Sequence, residues 1–405
     1  MVKDREARFF YGYIIVASAF LILVLTIGIN LTFGVFLPAL LDEFSWTRAI
    51  ASGAFSLNYA LTGLIGIVAG KMNDHYGPRI IITVCGVLLG LGYLLMSQAN
   101  TLWHLYLFYG VIVGIGMSIS QTPLPSTIAR WFVKRRGMMT GIAVTGIGVG
   151  QLIMAPAVGW LISNYGWRTS YMVVGITVLI LIVLTAQFLR RDPSKIGKLP
   201  YGGNELEEKG DLQNAGFPLK EAVRKRQFWF FTMAVFLVAL SVGSVQVHIV
   251  IHAIGLEIPN ANAVLMLTVI GGTSIMGRVV MGVTSDRIGI KRALIICFTL
   301  ISAAFFWILI ARESWMLYLF AVIFGFSHSG IHGLVSPTVA ELFGLMSHGV
   351  IFGCAMLGLT LGIATGPMAT GYIFDITGSY QLAFLIHAIL NVTGLILVLC
   401  LKPVQ

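Results

Sequence analysis

Residues 282–291 read GVTSDRIGIK, and residues 70–79 read GKMNDHYGPR. Gly282, Asp286, Gly289 and Lys291 repeat Gly70, Asp74, Gly77 and Arg79 at one constant displacement along the chain. The same displacement relates Gly159 to Gly371, Gly166 to Gly378 and Cys85 to Cys297. Coincidences spread this widely at one spacing signal an internal duplication, so the chain reads as two parallel copies of one unit.

The surrounding residues say what is duplicated. Of 405 residues, 57% are hydrophobic and 10% charged, with a mean hydropathy of +0.90. No soluble domain of this size hides so much apolar surface, and the chain is an integral membrane protein. A helix needs about 20 mostly apolar residues to cross the hydrocarbon layer. Twelve such runs fit, at 11–40, 49–70, 79–98, 103–129, 138–163, 167–189, 228–253, 261–285, 292–311, 315–339, 348–374 and 380–401. The runs at 103–129 and 315–339 are broken by prolines and polar residues, which marks them as the two able to bend. The opening MVKDREARFFYGYII has a charged head, but its apolar run is too long for a signal-peptide core and no small-residue cleavage site follows; it reads as a retained first helix.

The one long polar segment, 190–226, falls between the sixth and seventh runs. The expected organisation is an all-α membrane protein of twelve transmembrane helices in two pseudo-symmetric six-helix bundles, 1–189 and 227–405, joined by a cytoplasmic linker, 190–226. The end of the linker, PLKEAVRKRQFW, suits either a short amphipathic helix on the membrane surface or a solvated basic loop. Of the 26 lysines and arginines, only Arg48, Arg168 and Arg312 fall in the connections on one side and Arg278 falls within a run; the rest lie on the other side. That bias places both termini in the cytoplasm of a multi-pass protein of the cytoplasmic (inner) membrane. It also accounts for the net charge of +10 without nucleic acid, through contact with anionic lipid headgroups. Cys85, Cys297, Cys354 and Cys400 sit in apolar helices without paired spacing, which suggests neither a disulfide framework nor a metal site.

The repeated G-x-x-x-D-x-x-G-x-[RK] element has its own physical reading. Its glycines let tight turns form and neighbouring helices approach, while the acid and the base can pair or bond to the next helix end. Gly70, Asp74, Gly77, Arg79, Gly282, Asp286, Gly289 and Lys291 are thus candidates for a conformational latch between moving bundles. A merely structural turn is the alternative.

Arg278 is the chemically exceptional residue. It lies in SIMGRVVMGVTSDRIG, residues 274–289, inside a stretch otherwise apolar or small back to Ala263. Eight residues separate it from the turn at Asp286, roughly 12 Å into a layer about 30 Å thick. An arginine at the centre of a membrane helix costs on the order of 2.5–3.5 kcal/mol and does not escape by losing its proton. It must face a wet cavity, an anion or a buried acid, and no aspartate or glutamate falls clearly mid-helix: Glu341 and Asp375 lie at helix ends. Its planar fork suits a carboxylate bidentately, so an organic anion is the natural visitor. Two histidine pairs, His248 with His252 and His328 with His332, each share one helix face at a spacing of four residues. They are cavity-wall candidates, with hydrogen bonding between helices as the alternative. Asn30 is a further candidate with the same alternative.

Over essentially its whole length the sequence resembles the major facilitator superfamily. More narrowly, ARWFVKRRGMMTGIAVTGIGVG after the fourth run and GRVVMGVTSDRIG in the eighth resemble the branch of the monocarboxylate transporters and the oxalate:formate antiporter. The resemblance implies that Arg278 binds the substrate carboxylate. It also implies that His328 and His332 stand where the antiporter carries cavity aromatics, and that Gln121, with Ser118 one turn earlier, occupies a cavity position. The chain departs from these relatives as well. Ser274 stands where animal monocarboxylate transporters usually carry an acid, Leu31 aligns roughly with their helix-1 lysine, and Ala355 with the helix-11 lysine of oxalate carriers. One fixed cation therefore faces the substrate, which points to small monocarboxylates such as lactate or pyruvate, with Leu31 and Ala355 as an apolar wall.

The function expected is secondary active transport by alternating access, not catalysis. Proton symport is favoured by resemblance, and carboxylate exchange of the oxalate:formate type is the alternative. No G-x-x-x-x-G-K-[ST] loop serves ATP-driven pumping, no acid–base, metal or nucleophile constellation suggests an enzyme, and no cofactor or required protein partner is implied. A signalling receptor would need a soluble output domain, and only LKPVQ follows the last run. The partners expected are the monocarboxylate, protons and membrane lipids.

Overall fold

In a bilayer core every backbone N–H and C=O must be satisfied within the chain, so apolar runs of this length coil into helices. A computed structural model describes residues 10–120, 123–132, 135–193, 201, 216–344 and 346–402. Eleven helices among these residues are long and apolar enough to span a membrane, and one of them, Met138–Ala186, is 49 residues long. It belongs to a helical stretch beginning at Arg136 that is broken at Gly166, whose φ of 76° and ψ of 164° are not helical, and so holds two spans. The twelve helices are α1 (Gly12–Phe44), α2 (Arg48–Tyr76), α3 (Pro78–Met96), α4 (Leu102–Trp131, described except at 121 and 122), α5 (136–165), α6 (167–186), α7 (Arg226–Gly255), α8 (Asn260–Ile288), α9 (Ile290–Ile308), α10 (Ser314–Phe343), α11 (His348–Thr377) and α12 (Gln381–Leu399). The face where α1 begins and α12 ends is called here the terminal face, and its opposite the distal face.

α4 is irregular, with a π-helical stretch at Leu105–Val113 and a 3₁₀ turn at Ser118–Ser120. α10 runs as one continuous helix with Pro337 inside it. The segment after Pro218 makes only a single helical turn, Leu219–Ala222, in which Ala222 is buried, rather than an amphipathic surface helix. α1 also carries a π-helical stretch, Val24–Gly28, and is interrupted at Leu31 and Thr32 before it resumes at Phe33.

The duplication is visible in the geometry. Gly77 and Gly289 end α2 and α8 at φ of 84° and 90°, and their N–H groups donate to Asn73 O and Ser285 O, both at 2.9 Å. An L-residue is strained there, which explains the glycines physically. Gly166 and Gly378, at φ of 76° and 69°, turn α5 into α6 and α11 into α12. Arg79 donates through Nε and Nη2 to Gln187 O at 3.2 and 2.6 Å, and Lys291 donates to Leu399 O at 2.8 Å and Leu401 O at 2.6 Å. Gln187 and Leu399 are themselves related by the displacement of the repeat. Each basic residue thus satisfies free carbonyls at the end of the last helix of its own half.

Among the described residues, the hydrogen bonds joining the halves are Arg48 and Ala49 to Asp375, Arg48 to Tyr380, Ser52 with His248, Gln151 to Gln246, and Arg278 to Val144. All of them lie at mid-depth or toward the distal face.

Candidate substrate site

α8 is wedged between α5 of the other half and α10 of its own. Small residues make this possible: a Cβ on Gly148 would lie 2.9 Å from Gly271 O, and one on Gly277 would overlap Phe326 O. Ser329 adds a hydrogen bond to Ser274 O at 2.6 Å. Such close approach is how helices gain packing in lipid, where hydrophobic burial supplies little drive. Arg278 projects from this wedge. Its Cγ is 3.1 Å from where a Cβ on Gly333 would stand, so its stem lies along the gap that Gly333 leaves on α10.

At its head, Nη1 donates to Val144 O of α5 at 2.8 Å. Nε is buried and has no hydrogen-bond partner. The ion pairs among the described residues, Arg130–Asp192, Arg168–Glu43 and Arg191–Asp192, leave Arg278 without a carboxylate. A cation that brings five donors to mid-membrane and meets one backbone carbonyl is poised to accept an anion.

Depth along the helices sorts the histidines. Arg278 is 18 residues from the distal start of α8, about 27 Å, and His332 is equally far from the distal start of α10. His328 is one turn nearer the distal face and holds Nδ1 3.0 Å from Phe324 O while stacking on the Phe324 ring at 5.0 Å. The Arg278 stem lies against Gly333, the residue next to His332 on α10. His332 is half-buried and makes no hydrogen bond among the described residues, which leaves both ring nitrogens for a ligand or water. Arg278, His328 and His332 therefore form one group.

His248 and His252 lie elsewhere. His248 is seven residues from the distal end of α7, about 10 Å, and is fully buried. Its Nε2 is 2.8 Å from Pro367 O and 3.3 Å from Ser52 Oγ, and its Nδ1 is 3.0 Å from the Tyr380 hydroxyl. His252 packs edge-on to Tyr380 and Phe384 at 5.4 and 4.9 Å, with a buried, unpartnered Nε2. The structure brings neither beside Arg278. Asn30 is buried inside the N-terminal half: its Nδ2 donates to Asn58 Oδ1 at 3.2 Å, and its Oδ1 accepts from the Tyr109 hydroxyl at 2.5 Å. It bridges α1, α2 and α4. Ser118 is also fully buried, with its Oγ 3.9 Å from Cys85 Sγ on α3. Leu31 sits buried at the break in α1, and Ala355 is buried on α11. Gln121 lies outside the described residues.

Of the latch candidates, Gly70 is buried and Asp286 is exposed, with no hydrogen bond or ion pair among the described residues; the side chain of Asp74 lies outside them. A Cβ on Gly282 would meet nothing within 4 Å. The expected close helix approach at that glycine is absent in this arrangement.

One central pair escaped the sequence reading. Gln151 Nε2 of α5 donates to Gln246 Oε1 of α7 at 2.7 Å across the halves, and both residues are buried. An amide inside an apolar run is a weaker form of the signal that marked Arg278, and it was there to be read. Two open crevices, of about 310 and 570 Å³, lie at the α5/α8 and α2/α11 seams and not around Arg278.

Comparison with known proteins decides the family. The model for the Major Facilitator Superfamily matches residues 17–280 and 256–405. This chain belongs to the major facilitator superfamily. It is a major facilitator transporter and not an enzyme, and it is similar to mammalian carriers: 27% identical over 386 residues to monocarboxylate transporter 13 of Rattus norvegicus, covering 95% of this chain and 87% of that one. It is 27% identical over 398 residues to monocarboxylate transporter 11 of Homo sapiens, covering 95% and 81%. In fold, this major facilitator protein resembles a bacterial homolog of the human lysosomal transporter Spinster in an inward-facing, unoccupied conformation, with a TM-score of 0.71 at 20% identity over 96% of this chain and 94% of that one.

Proposed function

We propose that this transporter carries small monocarboxylates such as lactate or pyruvate across the cytoplasmic membrane with a proton, by rocking its halves around Arg278. The observation that carries the reading is the state of Arg278: mid-membrane, bonded to one backbone carbonyl, with an orphaned Nε and no acid. A carboxylate arriving there receives two parallel charge-assisted hydrogen bonds that the protein does not supply from within. The similarity to monocarboxylate transporters supports the substrate class. His328 and His332, on the adjoining helix α10, supply further hydrogen-bonding ring nitrogens for the bound carboxylate or for a proton that travels with it. The distribution of lysine and arginine supports cytoplasmic termini, making the distal face the external one. Asp74 and Asp286 then stabilise the outward-open state, in which the terminal ends of the halves meet.

The test is uptake of labelled lactate into sealed proteoliposomes, with and without an inward proton gradient. Accumulation driven by the gradient and abolished in Arg278→Gln is expected. Accumulation indifferent to the gradient but stimulated by a carboxylate inside the vesicle replaces symport with exchange, the second reading.

A further inference from the structure

The hydrogen bonds nearest the distal face converge on one corner, where α2 of the N-terminal half meets α7, α11 and α12. Asp375, in the last turn of α11, accepts the backbone N–H of Arg48 at 3.0 Å on Oδ1 and that of Ala49 at 2.8 Å on Oδ2. These are two of the N–H groups that the start of a helix leaves without an internal partner, and a carboxylate there also meets the positive end of the helix dipole. α2 is thus capped by an acid from the opposite half of the molecule. Above this cap the Arg48 guanidinium lies 3.5 Å from the centre of the Phe374 ring and donates Nη1 to the Tyr380 hydroxyl at 2.6 Å.

The direction of the bonds can be followed further. Pro367 O only accepts, so the His248 proton is on Nε2 and Nδ1 accepts from the Tyr380 hydroxyl. Arg48 donates to Tyr380, Tyr380 to His248, and His248 to Pro367, with each donor used once. A Cβ on Gly371 would stand 2.7 Å from Ala49 N, so the glycine is what lets α11 come close enough for the cap.

The internal repeat supplies a control. Ala49 and Tyr372 of the α2/α11 seam correspond to Ala261 and Trp160 of the α5/α8 seam, and all four residues line the two crevices. Asp375 and Arg48 correspond to Ser163 and Asn260. Among the described residues no hydrogen bond crosses the α5/α8 seam at its distal end.

We infer that Asp375, with Arg48, Tyr380 and His248 behind it, is a positioning group that holds the distal face shut, and that this latch is built at one of the two equivalent seams. It rests on the reading that the halves rock, but not on which substrate is carried. The reasoning is geometric. The bonds from Arg48 and Ala49 to Asp375, from Arg48 to Tyr380 and between Ser52 and His248 span the halves. They lie at the rim and not at Arg278, and opening the distal face requires that these break, while Tyr380–His248 and His248–Pro367 brace the C-terminal side of the contact. His248 then belongs to the gate and not to the carboxylate site.

The test is a distance measurement between spin labels, without substrate, in a background with Cys354 and Cys400 replaced by serine; Cys85 and Cys297 are buried. Labels at Gln98 and Gln381 report the distal face, and labels at Tyr76 and Met346 the terminal face. Asp375→Asn keeps the shape but gives up the charge at the helix start and one acceptor, and should raise the distal-open population about fivefold, with a reciprocal shortening at the terminal face. Tyr380→Phe, which cuts Arg48 from His248, should move it the same way by less. If both label pairs sample two distances in the unmodified protein and Asp375→Asn leaves their proportions unchanged, the latch is overturned while rocking stands. If neither pair moves in any variant, rocking itself is wrong.

Discussion

Replacing Arg278 with glutamine separates a binding role from a structural one, because the two predict opposite effects on stability. In the structure the guanidinium makes one hydrogen bond, to Val144 O, and leaves Nε orphaned. A bound carboxylate would take two charge-assisted bonds, each contributing about 1.5–3 kcal/mol, and a glutamine amide returns one neutral bond of about 1 kcal/mol. The net loss is about 3 kcal/mol, roughly 150-fold in dissociation constant. Lysine keeps the charge but not the fork, and should lose on the order of tenfold to a hundredfold. The protein without ligand should not suffer, since the mid-membrane arginine itself costs on the order of 2.5–3.5 kcal/mol to insert. The assay is equilibrium binding of labelled lactate or pyruvate to purified protein, paired with thermal unfolding of the same samples. Near-normal affinity in Arg278→Gln would refute the reasoning. So would a large fall in melting temperature, which would make the arginine a structural element.

Other outcomes follow from the same geometry. At neutral pH pyruvate and propionate should displace labelled lactate better than oxalate or malonate do, because a second carboxylate would enter a partly desolvated site unpaired at a cost of several kcal/mol; the reverse order in a competition assay removes the one-cation argument. Gly148→Val should place its branch against Gly271 O and the Ser274 hydroxyl, forcing α5 and α8 apart and lowering stability by about 1–3 kcal/mol, as read by thermal unfolding in detergent. Asp286→Asn should shift accessibility toward the terminal-open state and slow turnover more than binding. A change in affinity with unchanged thiol labelling at that face would count against the latch role of the repeated motif.

Much of the molecule was legible in its sequence because the controlling physics is local or repetitive. Span length is set by the thickness of the hydrocarbon layer, so twelve runs could be placed from composition alone. The internal repeat carried through to paired positive-φ glycines and to paired cations on the ends of α6 and α12. The depth of Arg278 followed from the helical rise, and its lack of a partner from the absence of any mid-helix acid. What the sequence could not assign is rotation about each helix axis and contact across the halves. α8 and α10 are apolar nearly all round, with almost no amphipathic asymmetry to say which face looks inward. His248 and His332 therefore look alike in the sequence, each with a histidine four residues away, yet one is bound into the distal rim and the other is half-buried, makes no hydrogen bond among the described residues and is next in sequence to Gly333, where the Arg278 stem packs. Asp375 looked like an ordinary residue at a helix end. Only the packing of α11 against α2, which comes from the opposite half of the chain, turns its carboxylate into a cap on another helix.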